Sequence, residues 1–99
     1  MRVARTELFA GRTLLVILMI LTILRSVEAV DFLYLQNETG LTRGNLSSHL
    51  TRLEEGGYIS IEKTYRGKIP LTLCRLTETG RSAFDGYRLQ LKQILDKSI

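Results

Sequence analysis

The middle of the chain carries a group of small hydrogen-bonding side chains at helical spacing. Leu46, Leu50 and Leu53 fall at i, i+4 and i+7, and at about 100° per residue they share one face of a helix. The opposite face is polar and nearly uncharged, and most of its side chains are short. It consists of Gly44, Asn45, Ser47, Ser48, Thr51 and Arg52. Short donors and acceptors suit close approach to base edges and phosphates in the major groove of DNA. Gly44 weakens a helix, which indicates that a partner comes close there.

A second group, made of cations, follows about ten residues later. Lys63, Arg66 and Lys68 lie at or beside the tip of a predicted hairpin, with Tyr65 among them. A basic tip on a projecting hairpin can reach phosphates or a minor groove. Taken alone, the helix face is also compatible with an ordinary solvated surface, and the tip with a solubilising turn. Helix and hairpin in this order favour binding to double-stranded DNA.

Catalytic and metal chemistry find little support in the sequence. His49 and Cys74 are the only residues of their types, and zinc needs three or four ligands. The sequence shows no nucleophile with a base beside it and no glycine-rich phosphate loop. We therefore expect no catalytic residue, no metal, no cofactor and no enzymatic activity. His49 is predicted to pack at the edge of the leucine face, and Cys74 to be buried on a strand.

Length and composition limit the architecture to one small domain. The chain has 99 residues, of which 44% are hydrophobic and 24% charged, so residues 1–99 are expected to form a single folded unit. The formal net charge of +4 suits a polyanionic partner.

Residues that cap or end helices predict the elements that position the polar helix face and the hairpin cations. Asp31 can cap a short helix from Phe32 to Glu38, and Thr42 can cap the next helix, which runs to Glu55. Residues 31–55, with a tight turn at Gly40, therefore form a predicted helix-turn-helix.

Helices are also predicted on both sides of this motif. A short helix from Thr6 to Ala10 is expected to end at Gly11, and residues 12–26 are expected to form a separate, buried helix. Residues 58–76 alternate as two strands of a wing hairpin, in which Pro70 favours an edge or loop position. Thr77 can cap a last helix over residues 78–97. The expected fold class is mainly α with a small β-hairpin, an α+β winged helix-turn-helix.

Three segments resemble a known family of regulators. The stretch from Gly40 to Leu50 (GLTRGNLSSHL) and the stretch from Leu53 to Tyr58 (LEEGGY) resemble the winged helix transcriptional regulators of bacteria and archaea. They are most similar to the small, single-domain group near the MarR-like and ArsR-like regulators. The segment from Leu76 to Arg81 (LTETGR) is similar to the strand-to-helix junction of that group. The resemblance covers about Ile23 to Leu95.

The resemblance implies a three-helix core, a β-wing, a dimer built from terminal helices, and sequence-specific operator binding. Carried onto this sequence, the recognition helix starts at Thr42, and its DNA contacts are Arg43, Asn45, Ser47, Ser48, Thr51 and Arg52, with Arg66 and Lys68 from the wing. The N-terminal helix departs from the family because it is more uniformly apolar.

Two apolar stripes are candidates for a homodimer interface. Residues near the C-terminus follow a 3-4-3 spacing, which is long enough to pack against a partner's copy or against the N-terminal helix; they are Phe84, Tyr87, Leu91, Ile94 and Leu95. The N-terminal helix contributes Leu14, Leu15, Ile17, Leu18 and Leu21. Packing onto their own domain alone is the alternative for these residues.

The apolar run from Leu14 to Leu24 also imitates a secretory signal. It is shorter than the roughly 20 residues that span a bilayer, and its removal would leave the helix-turn-helix without support. We therefore expect a cytoplasmic protein that does not bind membranes. Two alternatives remain open at this stage, a winged helix used for protein or RNA contact and a secreted or membrane-anchored protein.

Overall fold

The computed structural model describes the backbone of residues 5–98 and the side chains of residues 15–97. The elements follow in the order α1 (Arg5–Ser26), β1 (Val30–Asp31), α2 (Phe32–Thr39), α3 (Arg43–Glu55), β2 (Ile59–Arg66), β3 (Ile69–Leu76) and α4 (Glu78–Ser98). The strands form one antiparallel sheet in the order β1-β3-β2. This arrangement confirms the predicted α+β winged helix fold.

Side-chain caps fix the starts of three helices. The Asp31 carboxylate accepts a hydrogen bond from the Tyr34 amide at 2.8 Å, and the Thr42 hydroxyl accepts from the Asn45 amide at 3.2 Å. The Thr77 hydroxyl accepts from the Gly80 amide at 3.0 Å. Each cap satisfies an amide that the first turn of a helix leaves without a partner, so all three predicted caps are confirmed.

The core lies where α1, α2, α3 and the sheet meet. Its buried members come from every one of these elements, and they are Ile20, Leu24, Leu35, Leu46, Leu50, Leu53, Ile59 and Cys74. All three leucines of the α3 face are therefore buried, as their spacing predicts. Burial of this face against α2 and the sheet turns the polar face of α3 outward.

Two local features differ from the expectations. The N-terminal helix continues through Gly11 as one element, so the prediction of a separate helix ending there is wrong. Glycine lowers helix stability but is tolerated inside a helix. The short strand β1 was not predicted, since two residues are too few to show an alternating pattern.

The hairpin lies within the predicted residues 58–76, and its two strands are joined by a two-residue loop. Pro70 lies within β3 and pairs with Tyr65 of β2. Although β3 is the central strand, β1 pairs only with Leu73 and Cys74. Pro70 therefore has a paired strand on one side only, which is the edge situation that proline tolerates.

A close contact joins α4 to the start of the wing. The Thr77 amide donates to the Tyr58 carbonyl at 3.1 Å, and the Thr77 hydroxyl donates to the Gly57 carbonyl at 2.6 Å. A Cβ on Gly80 would lie 2.0 Å from the Tyr58 carbonyl oxygen, so only glycine fits there. These contacts fix the direction in which α4 leaves the sheet.

Within the described part of the chain, no helix is both long and apolar enough to cross a bilayer.

Candidate nucleic-acid interface

The polar face of α3 is open to solvent along its whole length. The residues predicted to contact DNA are all exposed, and they are Thr42, Arg43, Gly44, Asn45, Ser47, Ser48, Thr51 and Arg52. A Cβ on Gly44 would meet no atom of the described residues within 4 Å. The described part of the chain therefore leaves the space outside this turn accessible to a partner.

The turn between α2 and α3 holds the exposed helix at a fixed angle to its support. Gly40 adopts a φ of 71°, and its amide donates to the Gln36 carbonyl at 2.9 Å. A left-handed backbone of this kind is accessible to glycine at little cost. Leu41, the next residue, packs against the core. The helix-turn-helix is thus held by one glycine and one apolar anchor.

The wing places its cations at and near an exposed tip. Lys63, Arg66 and Lys68 are all exposed. Arg66 pairs with Ile69 across a loop of Gly67 and Lys68, in which Gly67 has a φ of 64°. Glycine at the first position of a two-residue loop matches the twist of a tight hairpin. The wing therefore presents its positive charge on a firmly paired ribbon.

A groove of about 650 Å³ separates α3 from the wing. The residues that line it are Phe32, Arg43, Gly44, Ser47, Leu50, Thr51, Glu54, Ile61, Lys63 and Thr72. Five of the eleven predicted DNA contacts line this groove. The other six lie elsewhere on the exposed surface, and they are Thr42, Asn45, Ser48, Arg52, Arg66 and Lys68. Arg66 lines a neighbouring groove together with Arg43.

One contact at this surface was not predicted from the sequence. The Arg43 guanidinium carbon lies 5.2 Å from the centroid of the Phe32 ring. This distance falls within the range of a cation–π interaction. The two residues belong to different helices and share no periodic pattern, so only the tertiary structure shows the contact.

The remaining chemistry-bearing residues occupy structural positions. His49 is half-buried beside the leucine face. Cys74 is fully buried on β3, and burial, followed by the nearby charges of Glu54 and Asp31, raises the pKa of its thiol to about 11. Such a thiol is a poor nucleophile at neutral pH. Among the described side chains of residues 15–97, no group is suited to hold a metal ion.

The described residues of the predicted dimer interface divide into three sets. Ile17 and Leu21 pack partly against the domain's own core, and the side chain of Leu14 lies outside the described residues. A groove between α1 and α4, of about 330 Å³, contains Leu18, Phe84, Tyr87 and Leu91. Leu15, Ile94 and Leu95 are more than half exposed, at 60%, 61% and 53%.

Comparison with known proteins places this arrangement in a family. Residues 16–95 match the family described as winged helix DNA-binding domain. The chain belongs to this family. The matched region of this winged helix domain begins in α1 and ends in α4, so it includes the helix-turn-helix, the wing and parts of both terminal helices.

Several relatives share the sequence or the fold of the winged helix domain. An uncharacterized protein of Methanocaldococcus jannaschii is 37% identical over 76 residues, which cover 76% of this chain and 82% of that protein. A transcriptional regulator homologue from Pyrococcus horikoshii is 28% identical, with a TM-score of 0.79 and 93% of each chain covered.

A PadR-like transcription factor from Bacteroides fragilis shares the fold at 18% identity, with a TM-score of 0.82 and 94% and 95% of the two chains covered. The predicted placement near the MarR-like and ArsR-like regulators is not confirmed, since PadR-like proteins are among the structural neighbours.

Proposed function

We propose that this protein is a transcriptional regulator that binds specific sequences of double-stranded DNA as a homodimer. Helix α3 enters the major groove, and the wing lies on the backbone or in the adjacent minor groove. The observation that carries the proposal is the exposed face of small polar residues on α3, beside a wing with three exposed cations. Because its partner is genomic DNA, the expected location is the cytoplasm.

The polar face of α3 and the wing have different roles in this proposal. Asn45 and Ser48 are short and exposed on α3, and they are suited to hydrogen-bond with base edges. Arg66 is a wing cation, which is suited to neutralise a phosphate whatever the sequence. Base contacts then set the sequence preference, and phosphate contacts set the general affinity.

Selection of bound duplexes from a random pool, at a stated salt concentration, tests the proposal directly. Wild-type protein is expected to enrich one sequence motif, and its affinity is expected to fall steeply as salt rises. Random RNA hairpins form a parallel pool. Enrichment of RNA and not of duplex DNA would favour the alternative, a winged helix domain used for RNA contact.

Substitutions then separate the recognition of base sequence from the general affinity for DNA. Asn45→Ala or Ser48→Ala is expected to cost about 1–3 kcal/mol on the selected sequence and little on unrelated duplexes. Arg66→Ala is expected to weaken binding to all duplexes alike and to reduce the salt slope by about one. Lys97→Ala, which removes the same charge from the end of α4, serves as control. If both kinds of substitution weaken binding equally on every sequence, the proposal that α3 sets sequence preference and the wing sets general affinity is wrong.

The homodimer is proposed on the surface that α1 and α4 present together. Tyr87 and Leu91 are 43% and 44% exposed although they line the groove between these helices. Large apolar side chains that remain this exposed on a helix favour burial against another copy. Two recognition helices related by a two-fold axis would reach successive major grooves about 34 Å apart.

A further inference from the structure

The first turns of α2 and α3 meet where a cation lies over an aromatic ring. Phe32 is the first residue of α2 and Arg43 is the first residue of α3, so their 5.2 Å contact joins the first turns of both helices of the motif. Phe32 is half-buried and packs against the core. Its ring is therefore a fixed support, whereas Arg43 is exposed and would otherwise sample many rotamers.

This pair also borders a second groove. A space of about 310 Å³ lies between the start of α2 and the tip of the wing, and Arg43 and Arg66 both line it. Among the described residues that line it, Asp31 is the only acid, and its carboxylate accepts the hydrogen bond of the Tyr34 amide. Two arginines from different elements therefore face one groove at the edge of the proposed DNA surface.

We propose that Phe32 is a positioning residue, which holds the Arg43 guanidinium so that Arg43 and Arg66 together bind a backbone phosphate of the duplex in this groove. The inference rests on the proposed function and specifies one contact of it. A guanidinium that lies against a ring keeps its N–H edge free, and that planar edge matches the oxygens of a phosphate. Two cations from separate elements suit a negatively charged backbone that passes between helix and wing.

A double-mutant cycle tests whether Phe32 acts through Arg43. Phe32→Leu removes the ring face but keeps an apolar side chain, and it is expected to weaken binding to all duplexes about two- to fivefold. Arg43→Ala is expected to weaken binding further and to reduce the salt slope by about one. Added to Arg43→Ala, Phe32→Leu is expected to have no further effect, because the group that the ring positions is gone.

Controls separate positioning from structural support. Phe32→Tyr keeps the ring and is expected to retain near wild-type affinity, while thermal unfolding shows that each variant is folded. If Phe32→Leu does not fold, Phe32→Met takes its place in the same cycle. Equal losses from the Phe32 substitution with and without Arg43 would overturn the inference. A wild-type protein that binds no duplex would instead overturn the proposed function itself.

Discussion

At the scale of single residues, two helical glycines allow an effect on DNA binding to be distinguished from an effect on stability. Gly44 in α3 and Gly86 in α4 are both exposed, and a Cβ on either would meet no atom within 4 Å in the described part of the structure. Alanine at such a site normally stabilises a helix by about 0.5–1 kcal/mol. The fold therefore gives no reason for glycine at either position, and any reason for Gly44 must lie in a partner.

We predict that Gly44→Ala raises the free energy of unfolding by about 0.5–1 kcal/mol but weakens duplex binding. The added methyl group would occupy space that the DNA surface needs. Gly86→Ala is the matched control, expected to give the same gain in stability with unchanged affinity. Urea unfolding and a duplex titration measure the two effects. Equal affinities for the two variants would show that no close approach occurs at Gly44.

At the scale of elements, the sequence predicts the features that depend on residues close together in the chain. The caps Asp31, Thr42 and Thr77, and the leucine face of α3, depend on residues a few positions apart. The contact of Phe32 with Arg43 depends on how two helices pack, and no spacing rule encodes it.

The same limit applies to the terminal helices. The ion pair of Arg25 with Asp85 joins residues 60 positions apart, so it could not be predicted from the sequence. The buried face of α1 could not be predicted either, because apolar residues occur on every side of this helix. Ile20 and Leu24 are fully buried whereas Leu15 is 60% exposed.

The ion pair between α1 and α4 predicts a dependence of stability on acid. The hydrogen bond from Arg25 lowers the pKa of Asp85 below its ordinary 3.8. The contribution is thus fully present above about pH 4 and is lost as the pH falls through the lowered pKa. Both side chains are 38% exposed, which keeps the contribution small.

We expect wild-type protein to be slightly more stable than Asp85→Asn at pH 6, and this advantage to disappear below the lowered pKa of Asp85. Asp96→Asn, on the same helix, leaves the pair intact and should follow the wild type. Urea unfolding across this pH range provides the measurement. An advantage over Asp85→Asn that stays constant on acidification would show that the ion pair does not contribute.

At the scale of the whole molecule, α1 and α4 link assembly to DNA binding. The contacts between Thr77 and residues 57 and 58 fix α4 to the base of the wing. The Arg25–Asp85 pair fixes α4 to α1. A partner that packs on these helices would therefore set the separation of the two recognition helices, and through it the spacing of the half-sites.

Leu91 provides the test of this link. It is 44% exposed and lies in the α1–α4 groove, so Leu91→Glu would place a charge in the proposed interface, where burial without a partner is costly. We expect this variant to sediment as a monomer and to lose at least tenfold in affinity for a two-half-site duplex. Its affinity for a single half-site should change little, since α3 and the wing are untouched.

Leu89→Glu is the matched control, because Leu89 is 57% exposed on the same helix but about 200° around the axis from Leu91. It should remain a dimer and bind like the wild type. If Leu91→Glu also remains a dimer, the interface lies on another surface. If it becomes a monomer but still binds the two-half-site duplex as tightly as the wild type, the α1–α4 surface does not set the spacing of the recognition helices.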